Sequence, residues 1–98
     1  EGLNFVFGVA LEGWGGVIFT ARLRPEFYGE MPNETLFRVR LFKEALHELG
    51  HSFGLPHCTS NCVMRFSNSV VDVDRKSARF CQRCVRDLSL LAPGLLRI

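Results

Sequence analysis

Between Asn33 and Gly54 apolar residues fall at Leu36, Val39, Phe42, Ala45, Leu46, Leu49 and Phe53, in steps of three and four that predict a single amphipathic helix. Asn33 can cap its start; Gly54 suits the left-handed turn that ends a helix, and Pro56 cannot continue one. Upstream the pattern changes. Leu3 to Ala10 is rich in Phe and Val, Val17 to Leu23 is a second β-prone run, and Glu12 to Gly16 between them holds Gly13, Gly15 and Gly16, which together predict a hairpin. Pro25, Gly29 and Pro32 make Arg24 to Asn33 a loop. Leu55 to Val73 shows no period and is expected to be irregular. A second helix should follow, capped by Asp72 or Asp74, with an apolar face of Phe80, Cys84, Leu88 and Leu91 and an end before Pro93 and Gly94.

The order is therefore strands, then helices, an α+β arrangement. Two strands do not make an independently stable sheet. The first residue is Glu1, not Met, and the pattern already reads as strand a few residues later, so further strands are expected upstream of residue 1, with another chain as the alternative source. Composition narrows the class. A hydrophobic content of 47% with nine Phe excludes a disordered or collagen-like chain, and 98 residues allow one small domain in need of extra staples. Twelve basic and ten acidic residues are interleaved, giving +2, which leaves no electrostatic footprint for nucleic acid or membrane. No apolar run approaches the roughly 18 to 20 residues of a membrane span, and no stretch resembles a signal peptide.

The chemistry is concentrated on the predicted helix. His47, Glu48 and His51 form H-E-x-x-H, and residues four apart share a helix face, so both imidazoles can reach one metal ion. Imidazole suits Zn²⁺, and a zinc held by three protein ligands keeps a position for water, whose proton an adjacent carboxylate can take. Glu48 fits that base. Gly54 lets the chain reverse and return His57 as third ligand, so that His47 to His57 matches H-E-x-x-H-x-x-G-x-x-H, the metzincin signature, with Met64 placed for the Met-turn that follows it.

Cys58, Cys62, Cys81 and Cys84 form a second set, C-x3-C followed by C-x2-C. Four thiolates in two short pairs suit a closed tetrahedral zinc site that contributes to folding. Two disulfides are the alternative in a secreted protein. Use of cysteine for metal, with no visible signal, predicts a cytoplasmic location.

A metzincin signature running directly into four cysteines, with a Met between the pairs, resembles the archaemetzincin family of zinc peptidases. The likeness covers most of the chain, from Asn4-Phe5-Val6-Phe7-Gly8 through Ala21-Arg22-Leu23 to Val63-Met64, Phe66-Ser67-Asn68-Ser69 and Cys81-Gln82-Arg83-Cys84. It implies a metzincin-like (zincin) catalytic domain over residues 1–98, with a sheet-edge hairpin, an active-site helix and a zinc-stapled C-terminal subdomain. It further implies two zinc ions per chain: a catalytic one on His47, His51 and His57, with Glu48 as general base, and a structural one on the four cysteines. Met64 would form the Met-turn. The implied reaction is hydrolysis of a peptide or protein substrate, of which aminopeptidase-like action is one form, and family members are longer at the N-terminus. The second cysteine follows Cys58 one residue earlier than the family pattern has it, and sixteen residues, in place of seventeen, separate Met64 from Cys81.

Two weaker candidates complete the reading. Tyr28, the single tyrosine, is expected to pack and not to steady an oxyanion, and the position two after Met64, where some metzincins carry Tyr, is Phe66. Arg75, Arg79, Arg83 and Arg86 repeat at helical spacing, which predicts a solvated face on the second helix. The rival function is a non-enzymatic zinc module that uses this stripe to contact nucleic acid or protein. A metal scaffold, however, has no need of Glu48 beside an open coordination position.

Overall fold

The computed structural model describes residues 7–93, which form a β-hairpin, a long helix and two shorter ones. Strands β1 (Gly8–Leu11) and β2 (Gly15–Ile18) pair antiparallel, Gly8 opposite Ile18 and Leu11 opposite Gly15. Leu3 to Val6 of the first expected strand lie outside the described residues. The second strand is shorter than Val17 to Leu23: after Ile18 the chain tightens into a 3₁₀ turn, Thr20–Leu23, that drives Leu23 into full burial. A second 3₁₀ turn, Pro25–Tyr28, organises the expected loop, its Pro at the first helical position and its end at Gly29, φ 79°.

Helix α1 (Glu34–Ser52) starts where Asn33 accepts the Leu36 N–H at 3.0 Å. It stops in a Schellman turn: Leu55 N–H reaches Gly50 O and Gly54 N–H reaches His51 O, both at 2.9 Å, with Gly54 at φ 106°. The face it buries is not the apolar one. Arg40, Lys43, Glu44, His47, Glu48 and Ser52 are buried, while Val39, Phe42, Ala45 and Leu49 stay exposed and Leu36, Leu46 and Phe53 are half-buried. The buried cations Arg40 and Lys43 are matched. Arg40 forks onto Asp74 at 2.8 and 2.9 Å and donates to Leu23 O, and Lys43 donates to the Val73 and Asp74 carbonyls.

The single second helix expected from Asp72 or Asp74 is two helices. Ser69, not an aspartate, caps α2 (Val70–Arg75), while Asp72 reaches back to the Asn68 N–H at 3.0 Å. The chain then breaks, and α3 (Gln82–Leu91) begins after Cys81 and ends short of Pro93. The interruption lets Arg79 O accept from Val63 N–H at 2.8 Å and brings Cys81 to the other cysteines. On α3, Cys84 and Leu88 are buried and Leu91 is half exposed. The arginine stripe is broken by the same interruption: Arg75 lies on α2, Arg79 between the helices, and Arg83 and Arg86 on α3.

Two apolar clusters flank the polar face of α1. Phe7, Leu23, Phe37 and Val73 form one; Leu55, Cys58, Cys62, Val63, Met64, Cys84 and Leu88 form the other. No helix among the described residues is long and apolar enough to cross a membrane.

Candidate metal centres and active site

His47 and His51 stand one turn apart on α1, and the Schellman turn after Ser52 swings His57 back beside them. The ring centroids lie 4.5 Å (His47–His51), 4.6 Å (His51–His57) and 5.3 Å (His47–His57) apart. One ligand atom from each lies within 4.8 Å of the others. The tautomers of the first two are fixed by their neighbours. His47 Nδ1 meets Val63 O at 2.8 Å and His51 Nδ1 meets Leu55 O at 2.7 Å; a carbonyl can only accept, so both Nδ1 atoms carry the proton. In the neutral rings, the form that binds a metal, both Nε2 atoms are then bare lone pairs, and they face each other at 3.1 Å. Two lone pairs that close repel unless a cation lies between them. Tetrahedral zinc with Zn–N of about 2.0 to 2.1 Å would space its ligands by about 3.3 Å, so the donor set fits that ion.

The electrostatics agree. Burial, then the nearby Lys76 ammonium, lower His47 to about 3, and burial lowers His57 as well, so the ligand form of both rings needs little deprotonation. Glu48 lies under the hairpin, where Gly8 and Gly16 make room for it: a Cβ on Gly8 would come within 2.8 Å of Glu48 Oε2 and of Val17 O. Burial, then the Glu44 charge, raise Glu48 to about 7, the range of a group that exchanges protons near neutrality. A cation on the histidines would draw it back down.

Met64 is fully buried beneath this arrangement, and Gly50 allows it: a Cβ there would stand 2.5 Å from Met64 Sδ. Phe66, two residues on, stands edge-on to His57 at 5.2 Å and is exposed. Tyr28 is far from any such role in its bonding, its hydroxyl donating to Arg22 O at 2.6 Å.

Cys58, Cys62, Cys81 and Cys84 carry free thiols whose sulfurs all lie within 4.8 Å of one another. Cys58 and Cys81 are 3.7 Å apart, against ~2.05 Å for a disulfide and about 3.75 Å for neighbouring sulfurs of a tetrahedral zinc with Zn–S near ~2.3 Å. Backbone N–H groups of Met64 and Cys81 point at Cys62 Sγ, at 3.4 and 3.2 Å, and Arg83 Nη2 stands 3.6 Å from Cys58 Sγ. Burial pushes the Cys58 thiol up, but bonds from Ser60 and Cys81 outweigh it and bring it to about 7; burial raises Cys62 and Cys84. A cation held among the four sulfurs would favour their thiolate forms.

The sequence pattern assigned no role to Leu55, Glu44 or Lys76, and named Val63 only within the family likeness. Val63 and Leu55 act through backbone carbonyls, which leave no residue-type signal. Glu44 was visible only as the polar residue one turn before His47 and Glu48.

The sequence model of peptidase family M54 matches residues 1–90. The archaemetzincin of Pyrococcus furiosus is 55% identical over 90 residues, covering 90% of this chain and 47% of the relative. Among solved structures, the archaemetzincin of Methanopyrus kandleri is similar at 49% identity and TM-score 0.80, covering 92% of this chain and 48% of that one. A zinc-dependent peptidase from Methanocorpusculum labreanum is similar at 38% identity and TM-score 0.82, covering 87% and 46%. The chain spans about half the length of the curated relatives it matches. Fold, signature and similarity over nine-tenths of the chain agree: it belongs to peptidase family M54, with the archaemetzincins.

Proposed function

We propose that this chain is the metal-bearing half of a zinc-dependent peptidase, with zinc held by His47, His51 and His57 and a second zinc held by the four cysteines. The observation that carries the reading is the pair of Nε2 atoms facing each other at 3.1 Å while both Nδ1 atoms are committed to carbonyls. Zinc bound there supplies a Lewis acid and a water whose pKa falls from about 15.7 towards 7. The protein supplies the rest. Val63 and Leu55 fix the two rings, Glu48 accepts the proton of the attacking water and passes it to the leaving amine, and the hairpin over Glu48 keeps that carboxylate desolvated. A peptide or protein in extended form is the substrate, with β1 offering an edge for strand addition. The free, clustered thiols favour a cytoplasmic setting.

The experiment is metal analysis of the full chain with peptide cleavage before and after chelation. Two zincs per chain and chelator-sensitive hydrolysis are expected; salt-dependent nucleic-acid binding without hydrolysis would favour the module reading instead.

The exposed stripe of α1, Val39, Phe42, Ala45 and Leu49, belongs to the same reading. Beside it a cavity of about 140 Å³ opens between β2 and α1, lined by Gly15, Gly16, Ile18, Ala45 and Leu49 together with Glu48 and Ser52. Relatives carry about as much chain again, and we assign the exposed α1 stripe to that additional segment, which would pair with the β2 edge and complete the domain while leaving β1 and Glu48 to the substrate. Residues 1–98 produced alone are expected to self-associate, and Phe42→Lys with Leu49→Lys should reduce this, as light scattering would show. A cooperative monomeric unfolding transition of the unsubstituted segment would contradict the assignment.

A further inference from the structure

Two buried charges beside the histidines are neither ligand nor base in the chemistry above. The Glu44 and Lys76 side chains are 4% and 1% exposed and meet at 2.9 Å. Glu44 Oε2 makes no aligned hydrogen bond, so the contact is Coulombic. Lys76 Nζ also donates to Arg65 O at 3.2 Å, the residue after Met64, and stands 3.4 Å from His47 Nδ1. That nitrogen already gives its proton to Val63 O and cannot accept from the ammonium. The Lys76 head therefore fills the space on the Nδ1 side of the ring without bonding to it. Glu44 reaches it from α1, one turn before His47 on the same face.

We propose that the Glu44–Lys76 pair is a positioning device for the histidine metal site, holding the His47 ring from its Nδ1 side and fixing the Val63–Arg65 backbone that orients it. The inference rests on the reading of His47, His51 and His57 as that site. A buried ion pair seldom adds net stability over an apolar pair of the same shape, so its presence here calls for a geometric reason. The geometry provides one. Lys76 joins three segments that converge on one ligand: α1 through Glu44, the Met64 turn through Arg65 O, and the break after α2 on which Lys76 itself lies. Groups that orient a metal ligand from behind typically change metal affinity by about 10- to 100-fold when removed.

The test uses the full chain with three variants, Lys76→Met, Glu44→Gln and the double change, and reads three quantities. Zinc affinity of the histidine site is measured by chelator competition, the cysteine site by its cobalt–thiolate absorption, and the fold by thermal unfolding. Lys76→Met is expected to weaken the histidine site at least tenfold and leave the cysteine site loaded. The double variant, which removes both charges, should regain much of the unfolding temperature while histidine-site affinity stays low. Recovery of affinity together with stability would overturn the proposal, because the pair would then be a fold element only. Affinity within twofold of the parent in Lys76→Met, or a double variant that does not fold, would overturn it too. A parent chain with no histidine-site metal would remove the underlying site reading, and this inference with it; a parent that binds while the variants bind equally well removes the inference alone.

Discussion

Replacing Glu48 by Gln is expected to lower peptide hydrolysis by about 10²- to 10⁴-fold, the range in which a positioned general base acts, while zinc content and unfolding temperature stay close to the parent's. The side chain is buried beneath the hairpin and keeps no hydrogen bond that the amide would break among the described residues, and Gln preserves its volume against Gly8 and Gly16. Its role is set by what surrounds it. Burial, with the Glu44 charge behind it, holds Glu48 at about 7 in the metal-free chain, so its proton affinity is far above that of an exposed carboxylate. The amide cannot take a proton at any working pH, so activity should be lost across the whole profile and not displaced along it. Metal analysis, unfolding and turnover of one peptide by the same preparation check this. Loss of one zinc would move Glu48 from base to ligand and contradict the assignment.

The gathering of the three histidines was legible because it follows from spacing. His47 and His51 stand four positions apart on one helix, a helix-ending glycine follows at Gly54, and the three imidazoles then have few places to go but together. The face of α1 was harder to read. Its apolar residues at Val39, Phe42 and Leu49 follow the rule for a core-facing stripe, yet the helix turns Arg40, Lys43, Glu44 and His47 inward, because Asp74, the α2 carbonyls, Lys76 and Val63 O are there to meet them. None of those partners lies within 15 residues of its mate, and a periodicity argument sees only near neighbours. The same limit hid the break between α2 and α3. From Asp72 to Leu91 the pattern suits one helix, but Lys76 must turn in to Glu44, Arg79 O must meet Val63 N–H, and Cys81 must reach Cys58, and a continuous helix could not do all three.

The double replacement Cys81→Ser and Cys84→Ser should cost more than the cysteine site it removes. Cys62 and Val63 are consecutive, and they serve different centres: Cys62 Sγ accepts from the Met64 and Cys81 N–H groups, whereas Val63 O holds His47 Nδ1 at 2.8 Å. His57 and Cys58 are likewise adjacent, and Cys58 N–H closes the loop onto Met64 O at 3.0 Å. A segment of seven residues, Cys58 to Met64, thus carries two of the four clustered sulfurs, the carbonyl that orients one histidine and the methionine packed under Gly50. With two sulfurs lost, a structural zinc worth about 10 kcal/mol or more in small zinc domains no longer ties this segment to α3, and the Val63 and His57 positions lose their anchor. The expected result is loss of two zincs per chain, or of one with catalytic zinc strongly weakened, together with a lower unfolding temperature and loss of hydrolysis. Ser at both positions keeps size and polarity close to Cys, and both lie more than twenty residues from His57, so direct disturbance of the histidines is not the cause. A variant with full activity and parental stability would show that the cysteines do not hold the catalytic half together, and the two centres would have to be treated as independent.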